Sequence, residues 1–122
     1  MEVPILKQGE FLIASIQSAL ADTDLQQLRD ALVERVGRWR ARGVIIDLTS
    51  LDVLDSFGTR TLRDTAHMIR LRGAETVIVG LQPEVAFTMV QLGLTLEGVA
   101  TALDLEEGLV YLNSRSARTR GL

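Results

Sequence analysis

Three carboxylates and a serine are crowded into one short stretch: Asp47, Asp52, Asp55 and Ser56, with the hydroxyl of Thr59 three residues on. Converging carboxylates can hold Mg²⁺ or accept a phosphoryl group, but only when two or more meet with the right geometry. A serine hydroxyl here has two roles open to it. It can cap a helix, or it can be the group that a partner enzyme modifies. The sole histidine, His67, falls mid-helix, and a metal site or a serine triad needs more partners than it has. It reads as a solvated or packed side chain. Neither Gly-x-x-x-x-Gly-Lys-Ser/Thr nor Gly-x-Gly-x-x-Gly occurs, which argues against a phosphate-cradling loop.

The flanking residues define how these groups are held. Val44-Ile45-Ile46-Asp47-Leu48 is short, β-branched and nearly all apolar. That pattern suits a strand buried on both faces, as in a parallel sheet. Ser56 stands where a helix N-cap belongs, and Asp52 and Asp55 occupy the turn between. Asp55 also suits a helix start as an acidic residue. A strand running into a helix start makes a ledge where free backbone N–H groups and the helix dipole favour negative charge. Phosphate on Ser56 adds about −1.5 to −2 charges. The helix N-terminus accommodates it, whereas Asp52, Asp55 and any acidic partner surface repel it. Such a modification changes the surface and spares the core, as a docking switch requires.

In chain order, residues 3–7 read as a strand that Pro4 confines to an edge. Gln8-Gly9-Glu10 is a tight turn, and residues 11–17 complete a hairpin. A loop follows, with Asp22 a candidate cap. Leu25, Leu28, Leu32, Val36 and Trp39 form an amphipathic stripe, and Gly43 is the expected helix end. The second helix, about residues 57–71, turns Leu62, Ala66 and Ile69 inward and leaves Phe57 exposed beside Ser56; Gly73 stops it. Residues 75–80 form another strand. Pro83 opens a third helix with Val85, Met89 and Leu92 inward, ended by Gly93. Residues 99–102 are a last strand. Asp104 and Glu107 have capping-box spacing before a helix striped by Leu105, Leu109 and Leu112. Residues 114–122 read as a flexible, Arg-rich tail beyond a domain of residues 1–113. The order implies an α/β fold: a mostly parallel central sheet with an N-terminal edge hairpin and about four helices. Its functional edge is the carboxyl end of the strands, here the 49–56 loop and the turns near Asp22 and Gln82.

Composition narrows the classes. A chain of 122 residues, 47% apolar, supports one domain with a single core. There is no cysteine, hence no disulfide framework and no thiol chemistry. The N-terminus lacks the features of a signal peptide, and no apolar run approaches the roughly 20 residues that cross a bilayer. A cytoplasmic location is the expectation. Net charge is −3 from 13 basic and 16 acidic residues. Setting aside Arg115, Arg118 and Arg120 leaves ten basic against 16 acidic. Such a body is poorly suited to nucleic acid.

The run Asp47-Leu48-Thr49-Ser50-Leu51-Asp52-Val53-Leu54-Asp55-Ser56-Phe57-Gly58 resembles the signature of the STAS domain, the fold of the anti-sigma-factor antagonists, in which Asp-Ser-Ser-Gly follows an apolar strand. Gly80-Leu81-Gln82-Pro83-Glu84-Val85-Ala86 with Leu92-Gly93, and residues 101–109, are similar to the stressosome branch; Pro4-Ile5-Leu6-Lys7 and Ser15-Ile16-Gln17 agree. The resemblance covers about residues 3–112. It implies that Ser56 takes the place of the family's phosphorylated serine, with Asp52, Asp55, Phe57, Gly58 and Thr59 as partner-binding neighbours. It also implies partners: an RsbT-type serine kinase held in check, RsbR-type STAS paralogues, a PP2C-type phosphatase that resets the serine, and self-association in a large cytoplasmic complex. One position departs. Phe57 replaces the second serine of the signature, so a hydroxyl is lost and an aromatic surface gained. Thr59 stands as an alternative acceptor.

The expectation is a non-enzymatic stress-response module, without cofactor or metal, that binds a kinase and is switched by phosphorylation of Ser56. Two rivals belong to other classes. One is a small phosphohydrolase or nucleotide-binding enzyme using Asp47, Asp52 and Asp55. The other is a purely structural interaction domain in which Ser56 only caps a helix.

Overall fold

The computed structural model describes residues 3–119, with side chains as far as Arg115. β1 (Ile5–Gln8) and β2 (Phe11–Ser15) form the antiparallel hairpin, and α1 (Asp22–Trp39) leads to β3 (Gly43–Asp47). Then come α2 (Ser56–Leu71), β4 (Glu75–Val79), α3 (Pro83–Gln91), β5 (Ala100–Ala102) and α4 (Leu105–Thr119). The strands lie in the order β1-β2-β3-β4-β5, with β2 to β5 parallel. β1 is the antiparallel edge that Pro4 demands.

Strand alternation divides the core between two faces. Ile46 of β3 pairs with Ala14 and Ile78, and all three belong to the layer beneath α1 and α2, with Leu28, Leu32, Leu62 and Ile69. Its neighbour Ile45, on the opposite face, joins Ile13, Val77 and Leu112 of α4. Both isoleucines are fully buried, which is why the strand reads as continuously apolar rather than alternating. The sheet is therefore a covered middle layer, and its two rims are where it meets solvent.

Three local expectations are corrected. α1 does not end on Gly43: Arg40 closes it in the left-handed conformation, φ 50°, and Gly43 opens β3. Gly43 is required by packing, since a Cβ there would lie 2.9 Å from both Leu112 methyls and 3.1 Å from Phe11. Asp22 is the first residue inside α1, while Ala21 holds the cap position without a side-chain bond. Leu92 follows the last turn of α3 and is 58% exposed, so only Val85 and Met89 face inward. The capping pair before α4 is present: Asp104 Oδ1 accepts the Glu107 N–H at 2.9 Å, and Glu107 reaches back to the N–H of Leu103. α4 continues to Thr119; residues 120–122 of the expected tail lie outside the described residues.

Candidate functional site: the ledge between β3 and α2

β3 ends at Asp47, whose carbonyl accepts the Ile16 N–H at 3.0 Å and whose carboxylate turns onto the next residues. Asp47 Oδ1 accepts both the backbone N–H of Thr49 (2.9 Å) and its hydroxyl (2.6 Å). A carboxylate that closes such a turn fixes the direction in which the chain leaves the sheet. Two neighbours complete the fixation. Gln82, at the N-cap of α3, donates its side-chain amide to the Thr49 carbonyl at 2.9 Å. Gly80, φ +76°, lets Thr49 come so close that a Cβ on Gly80 would stand 2.2 Å from Thr49 Oγ1. Residues from β3, β4 and the start of α3 thus position the loop together.

The loop runs over the rim with Leu51 buried and Val53 62% exposed. It enters α2 at Asp55, which is extended (φ −85°, ψ −179°) and accepts the Gly58 N–H on Oδ1 at 2.7 Å. This corrects the reading of Ser56 as the cap. An N-cap residue must be extended so that its side-chain oxygen reaches the N–H of the third helical residue, and Asp55 meets both conditions. Ser56 is the first residue of the helix, half-buried at its positive end. Its hydroxyl is not the group that caps α2.

Phe57 is half-buried and packs against the larger core layer, so it does not stand out beside Ser56 as expected. Gly58 is buried; a Cβ there would meet Leu54 at 2.8 Å. Thr59 is 1% exposed and donates its hydroxyl to the Asp55 carbonyl at 3.0 Å. Of the two hydroxyls, that of Ser56 is the more accessible and that of Thr59 is buried. Asp52 and Asp55 are exposed. Sequence reasoning missed the exposure of Val53 and the Thr49–Gln82 tie, which joins residues 33 apart.

The ledge is acidic, with Asp52 and Asp55 exposed on its loop. Residues 16–28 and 47–59 contain Asp22, Asp24, Asp47, Asp52 and Asp55, and no lysine or arginine. These carboxylates do not gather into a cage: among the described residues no three His, Asp or Glu side chains come together. Asp47 and Asp55 instead bond the backbone of their own turns. His67, far along α2, is exposed and within 3.1 Å of the Glu97 carbonyl, a helix-to-loop tie. Among the described residues no helix is long and apolar enough to cross a membrane.

Comparison with known proteins agrees with this geometry. Residues 2–108 match the family model of the STAS domain. The chain is 30% identical over 110 residues, 89% of its length, to the RsbT co-antagonist protein RsbRA of Bacillus subtilis (strain 168). It spans only 40% of the length of that relative. Among solved structures, a serine-to-glutamate variant of Moorella thermoacetica RsbS superposes with a TM-score of 0.81 at 34% identity, covering 94% of this chain and 97% of that one. A chain of the stressosome, described as a signal integration and transduction hub, gives 0.76 at 33% identity, over 93% and 98%.

Proposed function

The chain belongs to the STAS-domain family, and from that premise we propose that it is a non-enzymatic stressosome scaffold and antagonist that sequesters an RsbT-type serine kinase and releases it when Ser56 is phosphorylated. The observation that carries the reading is the division of labour at the head of α2. Asp55 caps the helix through Gly58, so the hydroxyl of Ser56 is available for modification without loss of the cap. Similarity to Moorella RsbS over nearly the whole of both chains supports the scaffold reading. The co-antagonist relatives support a kinase of the RsbT type as the partner. RsbR-type paralogues as co-assembling subunits, a PP2C-type phosphatase as the resetting enzyme, and a cytoplasmic complex complete the proposal, with residues 1–113 as the operative unit.

The mechanism follows from charge. A serine kinase must hold nucleotide phosphates opposite the hydroxyl it modifies. Before transfer, Ser56 is neutral and approaches them without penalty. After transfer it carries about −1.5 to −2 charges. The N-terminus of α2 stabilises this phosphate within the chain, while the kinase's own nucleotide phosphates repel it across the interface. The fold is preserved and the complex is weakened. Kinase affinity for Ser56→Asp against wild type tests this account. The expectation is a loss of about tenfold or more, in keeping with close like-charge contacts at interfaces; equal affinity would contradict it. A phosphohydrolase reading requires converging carboxylates, and Asp47 and Asp55 spend theirs on turns.

A further inference from the structure

Beside Ser56 the rim of the sheet contains a hollow of about 60 Å³. Ile16, Leu20, Leu25, Leu51 and Leu54 line it, and Asp55 and Gly58 form the wall nearest Ser56. Leu25 and Leu51 are buried, whereas Ala19 and Val53, which also border it, are exposed. A single water occupies roughly 10–15 Å³ on this measure and needs polar partners. The hollow is several times larger, and its lining is more apolar than polar. It suits a short apolar side chain better than solvent.

Its surroundings restrict whose side chain that is. Asp55 stands in its wall, Asp52 is exposed on the same loop, and no basic residue lines it. A second copy seated hollow to hollow would bring acidic rim against acidic rim. A partner offering an aliphatic side chain flanked by Lys or Arg meets the hollow with complementary charge. An apolar anchor in a small pocket, ringed by polar contacts that exclude water, is the usual construction of an interface hot spot. Asp55 in the wall immediately precedes Ser56, so a partner that anchors here is held against the residue it must modify.

Resting on the function proposed above, we infer that this hollow is the specificity anchor for the serine kinase, receiving an aliphatic side chain with basic neighbours, and that Val53 is the exposed knob at its edge. The anchor positions the kinase; Ser56 switches it. Phosphorylation then acts beside the anchor without filling it.

The test uses the full chain, unphosphorylated, with the cognate kinase and two variants. Ala19→Leu extends an exposed side chain over the opening, and Val53→Ser removes the exposed knob without touching the core. Each is expected to weaken kinase binding by about ten- to a hundredfold, the fold-change equivalent of losing one buried aliphatic side chain. Thermal midpoints and circular dichroism should stay at wild-type values. Wild-type affinity in both variants would overturn the inference and leave the hollow a packing defect. Weakened self-association with unchanged kinase affinity would overturn it in favour of a second copy. Failure of the wild type itself to bind the kinase would sink the functional reading and the anchor together. Normal binding of wild type with normal release on phosphorylation, but no effect of either variant, would sink the anchor alone.

Discussion

Asp55 and Gly58 are joined by a 2.7 Å hydrogen bond from the glycine N–H to the aspartate Oδ1, and this bond separates two roles that adjacent residues could have shared. Asp and Ser are both strong N-cap residues. Only one can be extended with its side chain aimed back at the third helical N–H, and that residue is Asp55. Asp55→Ala should therefore cost about 1 kcal/mol of stability in urea denaturation. Ser56→Ala should change it by less than about 0.5 kcal/mol. The reverse order would return the cap to Ser56.

Phe57 packs against the core from the first turn of α2. Because it is only half-buried, Phe57→Ala should lower stability by about 1–2 kcal/mol, below the full cost of a core phenylalanine. The fold should persist by circular dichroism. Unchanged stability would show the ring to be a surface group after all.

Gly80 carries two constraints that a second glycine allows to be separated. Both Gly80 and Gly9 have positive φ, but nothing lies within 4 Å of a Cβ at Gly9, whereas one at Gly80 meets Thr49. Gly9→Ala should cost about 1 kcal/mol from backbone conformation alone. Gly80→Ala should cost roughly 2–4 kcal/mol and should displace the loop that delivers Ser56. Slower phosphorylation of Gly80→Ala, at temperatures where it remains folded, would confirm that the Thr49 seat positions the site. Equal costs for the two variants would show that the seat adapts.

Much of this arrangement is legible in the residues themselves. The apolar run 44–48, the helix stripe of Leu25, Leu28, Leu32 and Val36, Pro4 at an edge strand and Pro83 opening α3 all have local physical signatures, and each element stands where those signatures put it. The misreadings share one cause. Gly43 looks like a helix stop because glycine commonly is one, yet its smallness answers to Leu112, 69 positions away. Arg40 in the left-handed region has no signature at all. Phe57 lies off the inward stripe of α2 and is half-buried because it packs against the larger core layer. At the site, the spacing of Asp55 and Ser56 marks the helix start, but choosing the cap between them depends on backbone angles.

The central claim is that Ser56 is the phosphorylated switch, and intact mass after incubation with the cognate kinase and ATP tests it most directly. The account predicts one phosphoryl group on the wild type and none on Ser56→Ala, since Thr59 is buried and bonded to the Asp55 carbonyl. A phosphoryl group persisting on Ser56→Ala, or none on either protein, would contradict it.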